Sequence, residues 1–248
     1  MQNHKVALIT GGTGDIGTAI AKQLDPLFSK VIALDVISLE KADLWQTALH
    51  QQGFTNVFFR KMDVTNFDQC QKVIDGILNE FGRIDALINN AGITRDAVFS
   101  KMTKQQWDEV LAVNLDGMFN VTRQVVESMK NHEEGRIINI SSVNAQKGQF
   151  SQANYAASKA GVYGFTKSLA QELMSKNITV NSISPGYVNT RLMQSIRPDI
   201  LKAIIQLIPA KRLAEPEDVA WVVEFLINEK SRYITGTNLS VNGGLHMY

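Results

Sequence analysis

The 248-residue chain predicts one doubly wound α/β domain, and three observations predict it. Short β-branched runs alternate with segments of helical length from end to end, which implies right-handed βαβ crossovers and a mostly parallel sheet covered on both faces. A glycine-rich turn follows the first run and opens a helix. The length suits one large α/β domain or two small ones, burying roughly 70% or more of the unfolded surface. No internal repeat, low-complexity tract or Pro/Ser-rich linker divides the chain, so a single unit over 1–248 is expected.

Taken in order, strands are expected at Lys5–Thr10, Val31–Asp35, Asn56–Met62, Ile84–Asn89, Arg136–Ser141, Thr179–Ser184 and Asn238–Val241. Each is a short run bounded by turn or helix signals. Amphipathic spacing between them predicts helices, notably over Gln105–Lys130 and Asn154–Ser175. Asn114 falls inside the first, where asparagine is a poor helix former, so it needs a kink, a carbonyl or a bound water as partner. NLSVNGG, close to the C-terminus, reads as an edge strand.

Composition removes several function classes. Twenty-five Lys and Arg against 24 Asp and Glu leave a net charge of +1, which gives no long-range field for nucleic acid or an anionic membrane. No apolar run approaches the ~20 residues that span a bilayer, and no signal peptide is visible, so a soluble protein is expected. Cys70 is the single cysteine, which excludes disulfides and Cys-based zinc sites within one chain and suits a reducing cytoplasm. It lies in FDQCQKVIDGIL, on the apolar face of an expected helix. His4, His50, His132 and His246 do not cluster with carboxylates at metal spacing, so no metal site is expected. Trp107 and Trp221 fit helix faces packed against the sheet or a neighbouring subunit.

The first run leads into TGGTGDIG at Thr10–Gly17. Gly11, Gly14 and Gly17 let the backbone turn tightly and approach a ligand, and a helix beginning near Asp15 aims unpaired N–H groups at a diphosphate. Asp35 ends VIALD 18 residues beyond Gly17, close to the ~20 expected for the acid that binds an adenosine ribose. Its carboxylate would accept hydrogen bonds from the 2′- and 3′-hydroxyls of NAD. A 2′-phosphate there meets a like charge, at about 4 kcal/mol per charge pair for 4 Å and an effective dielectric of 20. TGGTGDIG carries no Arg or Lys, and Lys41 is the nearest base beyond Asp35, so NADH is favoured over NADPH. The competing reading of Asp35 is a strand-end turn residue.

Tyr155 and Lys159 stand i, i+4 in NYAASKAGVYGF, on one face of an expected helix. An ammonium at ~4 Å in a partly dry site stabilises a phenolate by about 4 kcal/mol, roughly three pKa units. The pair therefore predicts a tyrosine acid/base tuned toward pH 7. RIINISS ends in Ser141 and Ser142 at a strand tip, where ligands are handled in such sheets. Ser142 can donate to a substrate carbonyl beside the phenol; the alternative is that both serines satisfy backbone at the strand exit. ALINNAG ends in Asn89, Asn90 and Gly92, small and polar where a cofactor could lie.

TGGTGDIG, Asp63 in MDVTN, NNAG at 89–92, Asn114, Ser142, Tyr155, Lys159 and PGYVNT at 185–190 together resemble the short-chain dehydrogenase/reductase family, over essentially the whole chain. The resemblance implies a Rossmann-type sheet of seven strands in the order 3-2-1-4-5-6-7, an Asn114–Ser142–Tyr155–Lys159 catalytic set, NAD(H) or NADP(H) as cofactor, and commonly a homotetramer. It places the cofactor against Gly11, Thr13, Gly14, Asp15, Ile16, Gly17, Asp35, Asp63, Val64, Asn90, Ala91, Gly92, Pro185, Gly186, Val188 and Thr190, together with Tyr155 and Lys159.

NNAGITRDAVFSKMT, SSVNAQKGQFSQANY and NGGLHM are similar to the acetoacetyl-CoA reductases of polyhydroxyalkanoate synthesis, with 3-oxoacyl-[acyl-carrier-protein] reductases as close relatives. That likeness implies a short acyl thioester of CoA, or of acyl carrier protein, as substrate. Gln149, Phe150, Gln152 and Tyr187 are candidate substrate contacts. Residues 190–212 resemble the family's mobile lid, and Arg191, Arg197, Lys202, Lys211 and Arg212 are candidates to attract CoA phosphates. Two departures stand out. Asp15 replaces the family's usual glycine, where it is expected to cap the helix while bringing a carboxylate near the diphosphate. Asp35 argues for NADH, although many acetoacetyl-CoA reductases prefer NADPH. A sugar, polyol or steroid dehydrogenase of the same family is a second enzyme reading. A non-catalytic NAD-responsive protein is the third.

Overall fold

The computed structural model describes residues 4–247, so residues 1–3 and 248 of the expected 1–248 unit lie outside the described residues. Its strands are β1 (Val6–Thr10), β2 (Lys30–Asp35), β3 (Val57–Lys61), β4 (Ala86–Asn89), β5 (Gly135–Ile140), β6 (Ile178–Pro185) and β7 (Asn238–Val241). Its helices are α1 (Asp15–Leu24), α2 (Leu39–Gln51), α3 (Phe67–Phe81), α4 (Lys104–Leu111), α5 (Gly117–His132), α6 (Val143–Lys147), α7 (Ala153–Leu173), α8 (Arg191–Gln194), α9 (Pro198–Leu207) and α10 (Pro216–Ile227).

All five residues of β1, VALIT, are buried, as are all eight of β6. Strands buried along their whole length have both faces covered, as parallel strands do. The seven strands accordingly form one sheet in the order β3-β2-β1-β4-β5-β6-β7, every pair parallel. The order expected from the resemblance is the order found. On one face, Ala19, Ile20 and Leu24 of α1 pack with Val219, Val223 and Leu226 of α10 over the sheet. On the other, Cys70, Ile74 and Ile77 of α3 pack with Val121, Val125 and Met129 of α5. The strand order reverses between β1 and β4, and the crevice at their C-terminal ends is where such sheets bind ligands.

Local sequence sets the boundaries. Asn66 caps α3 by accepting from the Gln69 amide, and Gly82 ends it at φ 78°. Thr103 and Gln106 cap α4 reciprocally. The expected fourth strand starts two residues late because the Asp85 carboxylate accepts from the Val6 amide at 2.8 Å, with a side chain supplying the first rung. The helix expected over Gln105–Lys130 is α4 and α5, joined by a π-helical turn at Ala112–Asp116 that contains Asn114.

Cys70 is buried, its thiol against the carbonyls of Asp63 and Val64, and burial pushes its pKa up to about 11. Trp221 departs from one of its two expected settings. It is 66% exposed on the outer face of α10 and does not pack on the sheet. Among the described residues no helix is long and apolar enough to cross a membrane.

Candidate active site

The cleft at the C-terminal ends of β1, β2, β4, β5 and β6 encloses about 810 Å³. Its first wall is the glycine-rich turn. Gly11 sits at φ +61°, a conformation L side chains rarely adopt, and its amide donates to the Leu34 carbonyl of β2 at 2.8 Å. A Cβ on Gly17 would stand 2.3 Å from the Gly11 carbonyl oxygen, so only glycine lets α1 close on the turn. Gly14 caps α1 without any side-chain bond, and helix geometry leaves the amides of Asp15, Ile16 and Gly17 without acceptors inside the helix. All three residues line the cleft. A diphosphate fits this cradle of free amides at the positive end of a helix dipole.

Thr10 holds the floor. Its hydroxyl accepts from the amides of Asn90 and Ala91, each at 3.0 Å, while the Asn90 amide group donates to the carbonyls of Thr10 and Gly11. The tips of β1 and β4 are thereby fixed beside the NNAG segment. Asn89 faces the core instead, donating to Thr122 and Asn139, and is not part of the wall. Asp35 closes the far end. One carboxylate oxygen accepts from the Thr13 hydroxyl at 2.6 Å and its amide at 3.2 Å; the other accepts from the Val36 amide. Thr13 is thus off the cleft surface and positions Asp35. Asp63 lines the cleft next to Val64, its carboxylate holding both the amide and the hydroxyl of Thr65.

The chemistry-bearing residues meet at the other end. Ser142 follows β5 and caps α6, its hydroxyl oxygen accepting from the Asn144 amide at 3.1 Å. Ser141 takes the strand-exit role, donating to the Lys159 carbonyl at 2.7 Å. Tyr155 and Lys159 lie one turn apart on α7 and both face the cleft. The lysine ammonium stands 6.0 Å from the phenol ring centre. It donates to the Ile140 carbonyl at 2.8 Å. Burial raises the Tyr155 pKa, the Ser142 hydroxyl beside it pulls the other way, and Asp96 and Tyr163 add to the rise. The net depression expected from Lys159 is not found: burial is the largest influence on the phenol, and the ammonium gives one of its hydrogen bonds to the Ile140 carbonyl.

Burial also lowers Lys159 to about 8. A folded pKa below the unfolded value means the unfolded chain binds more protons between about pH 8 and 10.5, so stability rises with pH in that window. The desolvated ammonium costs on the order of 3 kcal/mol at pH 7. We expect the stability of the protein relative to Lys159→Met to climb by that order from pH 8 to 10.5, followed by urea denaturation. A pH-independent difference would show that the ammonium is not desolvated.

Asn114 lies beneath the cleft and not on its wall. Its side chain accepts from the Ile93 amide at 2.8 Å and donates to the Ile93 carbonyl and the Ser158 hydroxyl. It ties the NNAG exit to α7, which is the kink-and-carbonyl solution its sequence context asked for. Pro185, Gly186, Val188 and Thr190 line the cleft after β6. Of the four substrate candidates, Gln152 and Tyr187 line it, whereas Gln149 and the 78%-exposed Phe150 lie outside its walls. The 190–212 segment forms two short helices, α8 and α9. Its expected basic field is largely spent: Arg191 pairs with Asp15, Arg197 with Asp199 and Arg212 with Asp218, and Lys211 donates to the Gln206 carbonyl. Asp15 does not cap α1, because its carboxylate is turned to Arg191.

Sequence alone does not single out Tyr163, Asn144 and Asp96. Tyr163 holds the Ser142 carbonyl and the Ser184 hydroxyl from two turns along α7. Asn144 and Gln152 link in a chain to Asp96, with donor–acceptor distances of 2.9 Å. Only the i, i+4 and i, i+8 spacing of Tyr155, Lys159 and Tyr163 hinted at the first.

A parallel sheet with a glycine-rich turn at its reversal point, an acid at the next strand end and a Ser–Tyr–Lys group opposite defines a dinucleotide-dependent oxidoreductase. The chain belongs to the short-chain dehydrogenase family, whose model, described as "short chain dehydrogenase", matches residues 5–201. It is 45% identical to the acetoacetyl-CoA reductase of Cupriavidus necator over 244 residues, covering 98% of this chain and 99% of that protein. It is 47% identical to the acetoacetyl-CoA reductase of Allochromatium vinosum over 245 residues, again 98% and 99%. It is also 40% identical to the 3-oxoacyl-[acyl-carrier-protein] reductase of Vibrio cholerae over 243 residues, 98% of each chain. Family membership makes it an NAD(P)(H)-dependent oxidoreductase acting on a CH–OH group.

Proposed function

We propose that the chain reduces the 3-oxo group of a short acyl thioester, acetoacetyl-CoA to 3-hydroxybutyryl-CoA, with NADH as the preferred cofactor. The observation that carries this reading is the meeting of the Ser142 hydroxyl, the Tyr155 phenol and the Lys159 ammonium at one end of the diphosphate cradle. When bound, the dinucleotide supplies the hydride. Ser142 donates a hydrogen bond to the carbonyl oxygen and fixes its position. Tyr155 donates the proton to that oxygen as negative charge grows on it, so both donors act most strongly in the transition state. The Lys159 charge, 6.0 Å from the phenol ring centre, offsets part of the burial penalty on the phenolate that remains. Asn114 ties the NNAG exit to α7, which holds the helix face carrying Tyr155 and Lys159 against the cleft.

Asp35, locked by Thr13, supports NADH over NADPH. Gln152 and Tyr187 are proposed as thioester contacts, residues 190–212 as a lid over the site, and the whole chain as one catalytic unit. A homotetramer is proposed as the assembly, and the outward Trp221 and Phe225 of α10, 66% and 50% exposed, support a further contact surface. The single cysteine supports a cytoplasmic setting.

Likeness to the Vibrio cholerae enzyme favours a second reading, with the acyl chain carried by a protein. Initial rates with acetoacetyl-CoA and acetoacetyl carrier protein, each with NADH and NADPH, separate the two. We expect the CoA thioester with NADH to give the highest kcat/KM. Preference for the carrier protein would install the second reading.

A further inference from the structure

The acid in the glycine-rich turn has a partner on the far side of the cleft. Asp15 is the first residue of α1, and its two carboxylate oxygens accept from the Arg191 backbone amide at 2.8 Å and the Arg191 Nε at 2.7 Å. Arg191 opens α8, directly after Thr190, and Asp15, Thr190, Leu192 and Met193 all line the same cleft. The two ends of the pair differ in setting: the Asp15 side chain is 26% exposed and that of Arg191 76%. The carboxylate therefore sits in the wall beside the free amides of α1, and the guanidinium covers it from solvent. Neither α8 nor α9 contains a fully buried residue, so apolar packing holds this segment weakly.

We propose that Asp15 and Arg191 form an electrostatic clasp across the cleft mouth, which fastens the 191–207 segment to the glycine-rich turn and neutralises a carboxylate that would otherwise repel a bound diphosphate. The inference rests on the dinucleotide reading of the cleft and adds to it a determinant of affinity and of segment closure. Without the Arg191 guanidinium the acid keeps only a backbone amide as partner, and its charge faces the diphosphate uncompensated. Without both, nothing repels and nothing fastens.

The signs make this testable. NADH binding is titrated by fluorescence in the unmodified protein, Asp15→Gly, Arg191→Ala and the double variant. Arg191→Ala weakens binding by roughly five- to tenfold, the size of one poorly screened repulsion at a solvent-bordered site. Asp15→Gly/Arg191→Ala returns to within about twofold of the unmodified protein, and the loss in Arg191→Ala shrinks with added salt. Equal weakening in Arg191→Ala and the double variant, or none in Arg191→Ala, overturns the neutralising role. Thermolysin cleavage near Leu192, with no nucleotide added, reads the fastening role. All three variants are cut faster than the unmodified protein, and equal rates overturn that half. Failure of the unmodified protein to bind any dinucleotide removes the cleft assignment itself, while the cutting rates still decide whether the clasp holds.

Discussion

Tyr155→Phe loses about a thousandfold or more in turnover of acetoacetyl-CoA, within the range that removal of a positioned general acid produces. NADH binding and folding stay intact, because the substitution deletes one oxygen and leaves the ring in place between α7 and the cleft. Among the described residues, the hydrogen bond given up is that with the Ser142 hydroxyl. Ser142 remains and still polarises the carbonyl, but its hydroxyl is an aliphatic alcohol like the product and gives proton transfer no driving force, unlike a phenol. The loss therefore falls on kcat and not on binding, as expected for an interaction made mainly in the transition state. Dinucleotide affinity by fluorescence and single-turnover rates provide the two readouts. Undiminished turnover would remove Tyr155 from the chemistry and with it the proposed mechanism.

The phenol also shows where sequence reasoning reached its limit. The i, i+4 spacing of Tyr155 and Lys159 placed both on one face of a helix, and that is how α7 presents them. Their mutual electrostatics were not in the spacing. Whether an ammonium outweighs the burial of a phenol depends on how deeply the fold sets both groups, and the tip of β5 adds a competing partner for the ammonium, the Ile140 carbonyl at 2.8 Å. That acceptor comes from a strand 19 residues earlier in the chain. The sheet itself was legible because fully buried parallel strands leave uninterrupted apolar runs such as VALIT. Strand ends were less so, since a side chain such as Asp85 can supply a ladder bond.

Asn114 lay between these cases. Its poor helix propensity flagged a disturbance, and the π-helical turn is that disturbance, with the amide group spent on both backbone groups of Ile93. Asp15 was misjudged for the same reason as the phenol. A capping role follows from local sequence, whereas its partner, Arg191, stands 176 residues away.

Replacing Asp35 with Ser is expected to turn the cofactor preference toward NADPH, raising the ratio of kcat/KM for NADPH over NADH by about a hundredfold. The carboxylate stands at the end of β2 with one oxygen committed to Thr13 and the other to the Val36 amide. Held so, it cannot swing aside for a 2′-phosphate. The repulsion of about 4 kcal/mol at 4 Å and an effective dielectric of 20 corresponds to roughly a thousandfold, and partial exposure of Asp35 to water reduces it. Two effects of the substitution work together. The charge that repels the phosphate is gone, and the Thr13 hydroxyl and amide, now donors without their acceptor, become available to it. The same change removes the acceptor for the ribose hydroxyls, so NADH use declines. Thr13→Val separates the two contributions: it removes the hydroxyl donor while Asp35 keeps its charge and its backbone-amide bonds, and preference should stay with NADH. Should the unmodified protein already use NADPH as well as NADH, the carboxylate would not be the discriminating group, and the phosphate would have to be held by a base such as Lys41 on α2.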